Sequence, residues 1–129
     1  MPRPVHFEIP AADPPKSIAF YEQVFGWKFT QWNSAHPYWV ISTGEKSQPG
    51  IDGGLMLKQH PEQPCVNTIQ VESVDDAVKS VEAAGGQCVV PKMPIPTVGW
   101  LTYCKDLDGH IFGLMHPDPS AGVCRDSLI

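Results

Sequence analysis

The chain has 129 residues, 42% of them hydrophobic and 18% charged, with 14 prolines, 11 glycines and a formal charge of −5. That length suits one domain with a buried core, and the apolar share excludes a disordered chain. Nine Lys plus Arg spread along an acidic chain leave no footprint for nucleic acid or an anionic membrane surface. No run of about 18 apolar residues is present and Met1–His6 lacks the apolar stretch of a secretory signal, so a soluble cytoplasmic protein is expected.

Val5–Ile9 alternates apolar and polar residues strictly, the period of a strand, and Pro10 is expected to end it. Asp13-Pro14-Pro15 then supplies a capping carboxylate and two prolines for the first turn of a helix over Lys16–Phe25, with Gly26 as its left-handed stop. Ile18, Tyr21 and Phe25, broadened by Phe20 and Val24, form the stripe expected to lie flat on a sheet. Three strand-like stretches follow, Trp27–Trp32, Tyr38–Thr43 and Gly53–Lys58, and the polar His60–Pro64 segment links them to what comes next.

The pattern then restarts. Val66–Val71 alternates like the first strand, and Ser73 followed by Asp76 reads as a capped helix start. Val74, Ala77, Val78, Val81 and Ala84 line one face of that helix, and Gly85-Gly86 ends it. Strands at Gln87–Val90, Trp100–Cys104 and Ile111–His116 complete a second βαβββ succession, with Asp108-Gly109 as a hairpin turn. The interval from cap to terminal glycine is the same in both halves, Asp13 to Gly26 and Ser73 to Gly86, which marks an internal repeat of modules 5–58 and 66–116 in a single domain. Lys92–Thr97 reads as a stiff apolar loop, a lid or rim or else an edge-blocking connection, and the tail from Ser120 as loosely ordered. Cys65, Cys88, Cys104 and Cys124 show no C-x-x-C spacing and are expected to be reduced, mostly buried thiols.

The repeated βαβββ order, the helix text Lys16–Trp27 and the closing text Asp106–Leu114 resemble the vicinal oxygen chelate superfamily, the group of glyoxalase I, bleomycin-resistance proteins and extradiol dioxygenases. The resemblance runs from Val5 to about His116. It implies an α+β fold, with two modules forming curved mixed sheets around an open cavity, a small-molecule ligand and a homodimer. It also implies a divalent metal held by His or Gln, Glu, His and Glu from four strands. Counting eleven residues back from Ser17 places His6 at the first of these positions. The fourth strand, Gly53–Lys58, offers no carboxylate or imidazole, Thr68 stands at the third position and Gly113 at the fourth. Three of four ligand positions are thus lost, and no metal or other cofactor is expected. His110 and His116 alternate with Gly113 and read as helix-side or edge residues, while His36 and His60 read as solvated loop residues.

His6 and Glu8 share one strand face and are the candidate catalytic couple, an imidazole whose pKa a neighbouring carboxylate would raise. Trp39, Met56, Thr68, Gln70, Met93, Trp100 and Tyr103 are the ligand-lining candidates. Three functions fit: sequestration of a small, partly aromatic molecule without metal; a lyase or isomerase acting on a small carbonyl or hydroxylated substrate through His6 and Glu8; and a protein-interaction module.

Overall fold

The computed structural model describes residues 2–33 and 36–122. In chain order the elements are β1 (Arg3–Ala11), α1 (Pro14–Phe25), β2 (Lys28–Asn33), β3 (His36–Ser42), β4 (Asp52–Leu57), β5 (Val66–Gln70), α2 (Val74–Ala83), β6 (Gln87–Ile95), β7 (Gly99–Lys105) and β8 (Ile111–Pro117). This is an α+β fold in which the succession βαβββ occurs twice. Val5–Asn67 make one compact unit; the chain from Thr68, with the residues before Val5, makes the other.

In the first unit the strand order is β2-β3-β4-β1, with β1 parallel to β4 and the other pairs antiparallel. Pro10 lies inside β1, opposite Met56, and the strand ends one residue later. A proline is tolerated where the ladder does not need its N–H, so it does not terminate the strand as expected. Helix α1 begins as the sequence predicts: the Asp13 carboxylate accepts from the Lys16 amide at 3.3 Å, and Pro14 and Pro15 fill the first turn. At its end Gly26 adopts φ 72° and donates to the Glu22 carbonyl at 2.9 Å.

Strand alternation sends Phe7 and Ile9, Trp39 and Ile41, and Leu55 to one side of this sheet. There Ala11, Ile41 and Leu55 form the buried core, with Ile18 and Tyr21 of α1, Trp27 and Phe29 packed on it. The apolar stripe of α1 is narrower than expected. Phe20, Val24 and Phe25 are 56%, 52% and 59% exposed. Phe20 lies on the far side of the helix from Ile18, Val24 lies on the flank beyond Tyr21, and Phe25, on the last turn, stacks against Trp27 at 5.2 Å.

In the second unit the order is β5-β8-β7-β6, with β5 parallel to β8 and the rest antiparallel. Ser73 Oγ accepts from the Asp76 amide at 3.2 Å, and Asp75 and Asp76 place negative charge at the positive end of α2. The Val74 amide, another unpaired donor of the first turn, bonds His116 Nδ1 at 2.9 Å, which makes His116 a helix-side residue. His110 lies in the β7–β8 hairpin, where the Asp106 carboxylate accepts from the amides of Asp108 and His110, both at 2.9 Å, and Gly109 supplies φ 85°.

Strand β6 overrides the expected loop. It continues past Val90 to Ile95 through two irregularities, with Met93, Pro94 and Ile95 opposite Leu101, Trp100 and Gly99. As the last strand in the order it has a side that needs no N–H, so Pro91 and Pro94 fit there and blunt the edge. Lys92–Ile95 is therefore an edge strand and not a lid. His36 belongs to β3 and not to a loop, whereas His60 is an exposed loop residue as expected. Ser120–Gly122 form a turn in which Ala121 is fully buried and accepts from the Thr97 amide at 3.1 Å. The rest of the tail, Cys124 included, lies outside the described residues.

Candidate functional site

The side of the first sheet opposite its core carries His6 and Glu8 of β1, Gly54 and Met56 of β4, and Tyr38 of β3, which sits in register with Met56. The expected ligand-lining residue Trp39 instead packs on the helix-side core, and alternation leaves its neighbour Tyr38 facing His6. The Tyr38 hydroxyl and His6 Nε2 share a hydrogen bond of 3.2 Å. Glycine at position 54 is what admits the ring: a Cβ there would lie 1.9 Å from the Tyr38 hydroxyl. Trp32 meets the same ring edge-on at 6.2 Å.

Electrostatics keep this couple neutral. Burial pulls the His6 imidazole below its ordinary value, opposed by the charge of Asp52, its register partner on β4. The expectation of a raised His6 is thus corrected: desolvation by burial outweighs the opposing charge of Asp52. Burial, and after it the charge of Glu8, holds the Tyr38 phenol well above its usual range. An unfolded chain therefore takes up a proton at position 6 before the folded one does. The resulting stability is present above the ordinary value of 6.5 and drains away as pH falls through the lowered folded value. Thermal melts from neutral pH to about pH 5 should show this loss, with a shallower slope in His6→Gln.

In the second unit, Thr68 and Gln70 of β5 are in register with Gly113 and Met115 of β8, and Tyr103 of β7 is opposite Gly113. Met93 of β6 stands opposite Leu101. Thr68 is 3% exposed, and its hydroxyl is buried with no hydrogen-bond partner among the described residues. A Cβ at Gly113 would come within 3.0 Å of that hydroxyl. Exchanging this unpaired hydroxyl for a methyl should stabilise the fold: Thr68→Val is expected to gain about 1 kcal/mol in a urea melt. Trp100, in contrast, is in register with His116 on the helix-bearing face, where its indole donates to Asp118 at 3.0 Å and Lys92 lies 4.9 Å from its ring. It lines the α2 side and not the face of Thr68.

Taken strand by strand, the donors do not fit a divalent ion of the Zn, Ni, Fe or Mn kind. His6 is an imidazole in place. β4 begins at Asp52, one residue before the expected start, and so offers a carboxylate in register with His6, its Oδ1 held by the Thr43 amide at 2.9 Å and hydroxyl at 3.3 Å; with His6 it makes two donors. Further along β4, Tyr38 occupies the space over Gly54, and on β5 and β8 the positions hold a hydroxyl and no side chain. Among the described residues no three His, Cys, Asp or Glu side chains gather as such an ion requires. Two hollows, of about 200 Å³ at Thr43–Asp52 and about 360 Å³ at Ala12–Tyr21, are lined by neither His6, Tyr38 nor Thr68. No helix among the described residues is long and apolar enough to cross a membrane.

The family model of the Glyoxalase/Bleomycin resistance protein/Dioxygenase superfamily matches residues 3–114. CFP32 of Mycobacterium bovis and of Mycobacterium tuberculosis, glyoxylases by name, are each 30% identical over 110 residues, covering 82% of this chain and 41% of theirs. The chain thus spans less than half the length of these relatives. Among solved structures, methylmalonyl-CoA epimerase from M. tuberculosis has a TM-score of 0.66 at 14% identity, covering 90% of this chain and 88% of its own. A superfamily member from Vibrio splendidus has 0.64 at 14%, covering 92% and 100%. At these identities the likeness is one of fold.

Proposed function

This chain belongs to the glyoxalase/bleomycin resistance protein/dioxygenase superfamily, and from that premise we propose that it is a metal-independent binder of a small, partly aromatic molecule. The ligand lies against the face of the first repeat that carries His6, Glu8, Tyr38 and Met56. One observation supports this reading above the others: Tyr38 fills the space over Gly54 and hydrogen-bonds His6. A neutral phenol and a neutral imidazole then offer a donor and an acceptor to a hydroxyl or carbonyl group, beside the apolar surface of Met56 and Trp32. Thr68, Gln70, Met93 and Tyr103 are the corresponding candidates of the second repeat.

A panel of planar aromatic molecules bearing hydroxyl or carbonyl groups tests the reading by thermal shift, since a ligand that binds the folded state raises Tm by mass action. A rise is expected with the native chain and its loss in Tyr38→Ala. A stoichiometric divalent metal in elemental analysis of the purified protein would overturn it.

The catalytic alternative, a lyase or isomerase reaction on a small carbonyl or hydroxylated substrate, is favoured by the depressed pKa of His6, which leaves the imidazole free to accept a proton near neutrality. With a substrate in hand, His6→Ala and Glu8→Ala should abolish turnover, and unchanged rates would reject this role. Phe20 and Val24, exposed one turn apart on α1, favour assembly into a homodimer; light scattering of the purified protein, with Phe20→Ser and Val24→Ser as dissociating changes, checks the dimer.

A further inference from the structure

Cys88 on β6 and Cys104 on β7 stand directly opposite each other in an antiparallel pair. Opposed residues of such a pair have Cα atoms about 4.5–5.5 Å apart, within the span of about 4.4–6.8 Å that a disulfide bridges. Both side chains lie on the face toward α2 with Thr102, whose hydroxyl is 3.4 Å from Cys88 Sγ and bonds the Val90 carbonyl. The irregularity between Cys88 and Val90 takes that carbonyl out of the regular ladder and gives it side-chain donors instead: the Thr102 hydroxyl and the Cys88 thiol, at 3.4 Å. The two thiols differ in access. Cys88 is half-buried and Cys104 fully buried.

We propose that Cys88 and Cys104 form a dithiol site that closes to a cross-strand disulfide on reaction with a low-molecular-weight disulfide of the glutathione type. Cys88, the accessible partner, attacks first as its thiolate: its sulfur bonds one sulfur of the reagent, the reagent S–S bond breaks and one glutathione thiolate leaves. The Cys104 sulfur then gives up its proton and attacks the Cys88 sulfur, breaking the mixed disulfide and releasing the second glutathione. Two protein thiols are oxidised by two electrons, one reagent disulfide is reduced to two thiols, and the two protons pass from the protein to them. Burial, with the charge of Cys88 and a hydrogen bond to it, pushes the Cys104 thiol up to about 11. Full burial and this scarcity of thiolate keep Cys104 from outside reagents, and its attack on the Cys88 sulfur rests on the two residues standing opposite each other in the ladder. Cys65, exposed and outside the strands, is the internal comparison: it can take a reagent but has no partner opposite it in a ladder.

The test is incubation of the folded 129-residue chain with oxidised glutathione, alkylation of the remaining thiols, and intact-mass and peptide-map analysis. The expected result is a Cys88–Cys104 linked peptide, lighter by two hydrogens than its reduced parts and opened again by dithiothreitol. In Cys104→Ser the same treatment should leave glutathione on Cys88; in Cys88→Ser, Cys104 should stay unmodified. The native chain alone decides the matter if Cys104→Ser does not fold. A lasting glutathione adduct on Cys88 beside a free Cys104, a bridge that uses Cys65 or Cys124 instead, or two untouched thiols while Cys65 reacts would each overturn the proposal.

Discussion

Gly54→Ala should lower stability by about 3 kcal/mol, the upper end of what overpacking costs. The new Cβ falls 1.9 Å from the Tyr38 hydroxyl, 2.3 Å from Cζ and 2.9 Å from Cε2, so the ring must leave its place. Its departure breaks the bond to His6 Nε2 and exposes the face that Tyr38 covers. Because the obstacle is a side chain, a second change can remove it. Tyr38→Ala in the Gly54→Ala background should be less damaging than the two single effects added together, by about 1–2 kcal/mol of coupling in a urea double-mutant cycle. Additive losses would mean that the two residues do not compete for one space.

Gly99→Ala is expected to be worse, at more than about 3 kcal/mol. Its Cβ would lie 2.2 Å from the His116 carbonyl oxygen and 3.0 Å from Pro117 Cα, and a backbone obstacle cannot swing away. Gly99 pairs with Pro117 at the end of the β7–β8 ladder, so relief means separating those strands. Moving His116 also withdraws the Nδ1 that accepts from Val74 at the start of α2. The damage should therefore reach the helix, visible as lost far-ultraviolet ellipticity before global melting. Gly109→Ala is the contrast: it has φ 85° but nothing within 4 Å, and should cost about 1 kcal/mol with both helices intact. Similar losses at the two glycines would refute the distinction between missing space and strained backbone.

Local signals made much of this fold readable. Asp13 and Ser73 before helical stripes, and glycines after them, mark α1 and α2 because orphan amides and left-handed stops demand those residues. Period-two alternation on β1 placed His6 and Glu8 together because one face had to be apolar. The signal failed where two faces compete for similar residues. Tyr38 and Trp39 are both large aromatics, and only the pairing of β3 with β4 decides which one covers the core. Prolines suggested a break at Pro91 because sequence does not reveal that β6 is an edge, where the missing N–H costs nothing. The start of β4 at Asp52 is hidden for a similar reason: Thr43, nine residues earlier in the chain, anchors that carboxylate. The lowered pKa of His6 is not legible in the sequence because it comes from burial, which depends on how the strands pack.

The tenancy of Tyr38 over Gly54 has a consequence for how this chain can change. A carboxylate introduced at position 54 alone meets the phenol before it can serve as a donor. Room for it comes only when the Tyr38 ring is displaced or removed, and with it the partner of His6. At Gly113 the neighbour is the shorter Thr68, 3.0 Å from a would-be Cβ, and a small adjustment suffices. The two repeats are therefore unequal as starting points for laboratory evolution toward metal binding. A donor at position 113 asks only a small shift of Thr68, while one at position 54 passes through a less stable form in which Tyr38 is displaced.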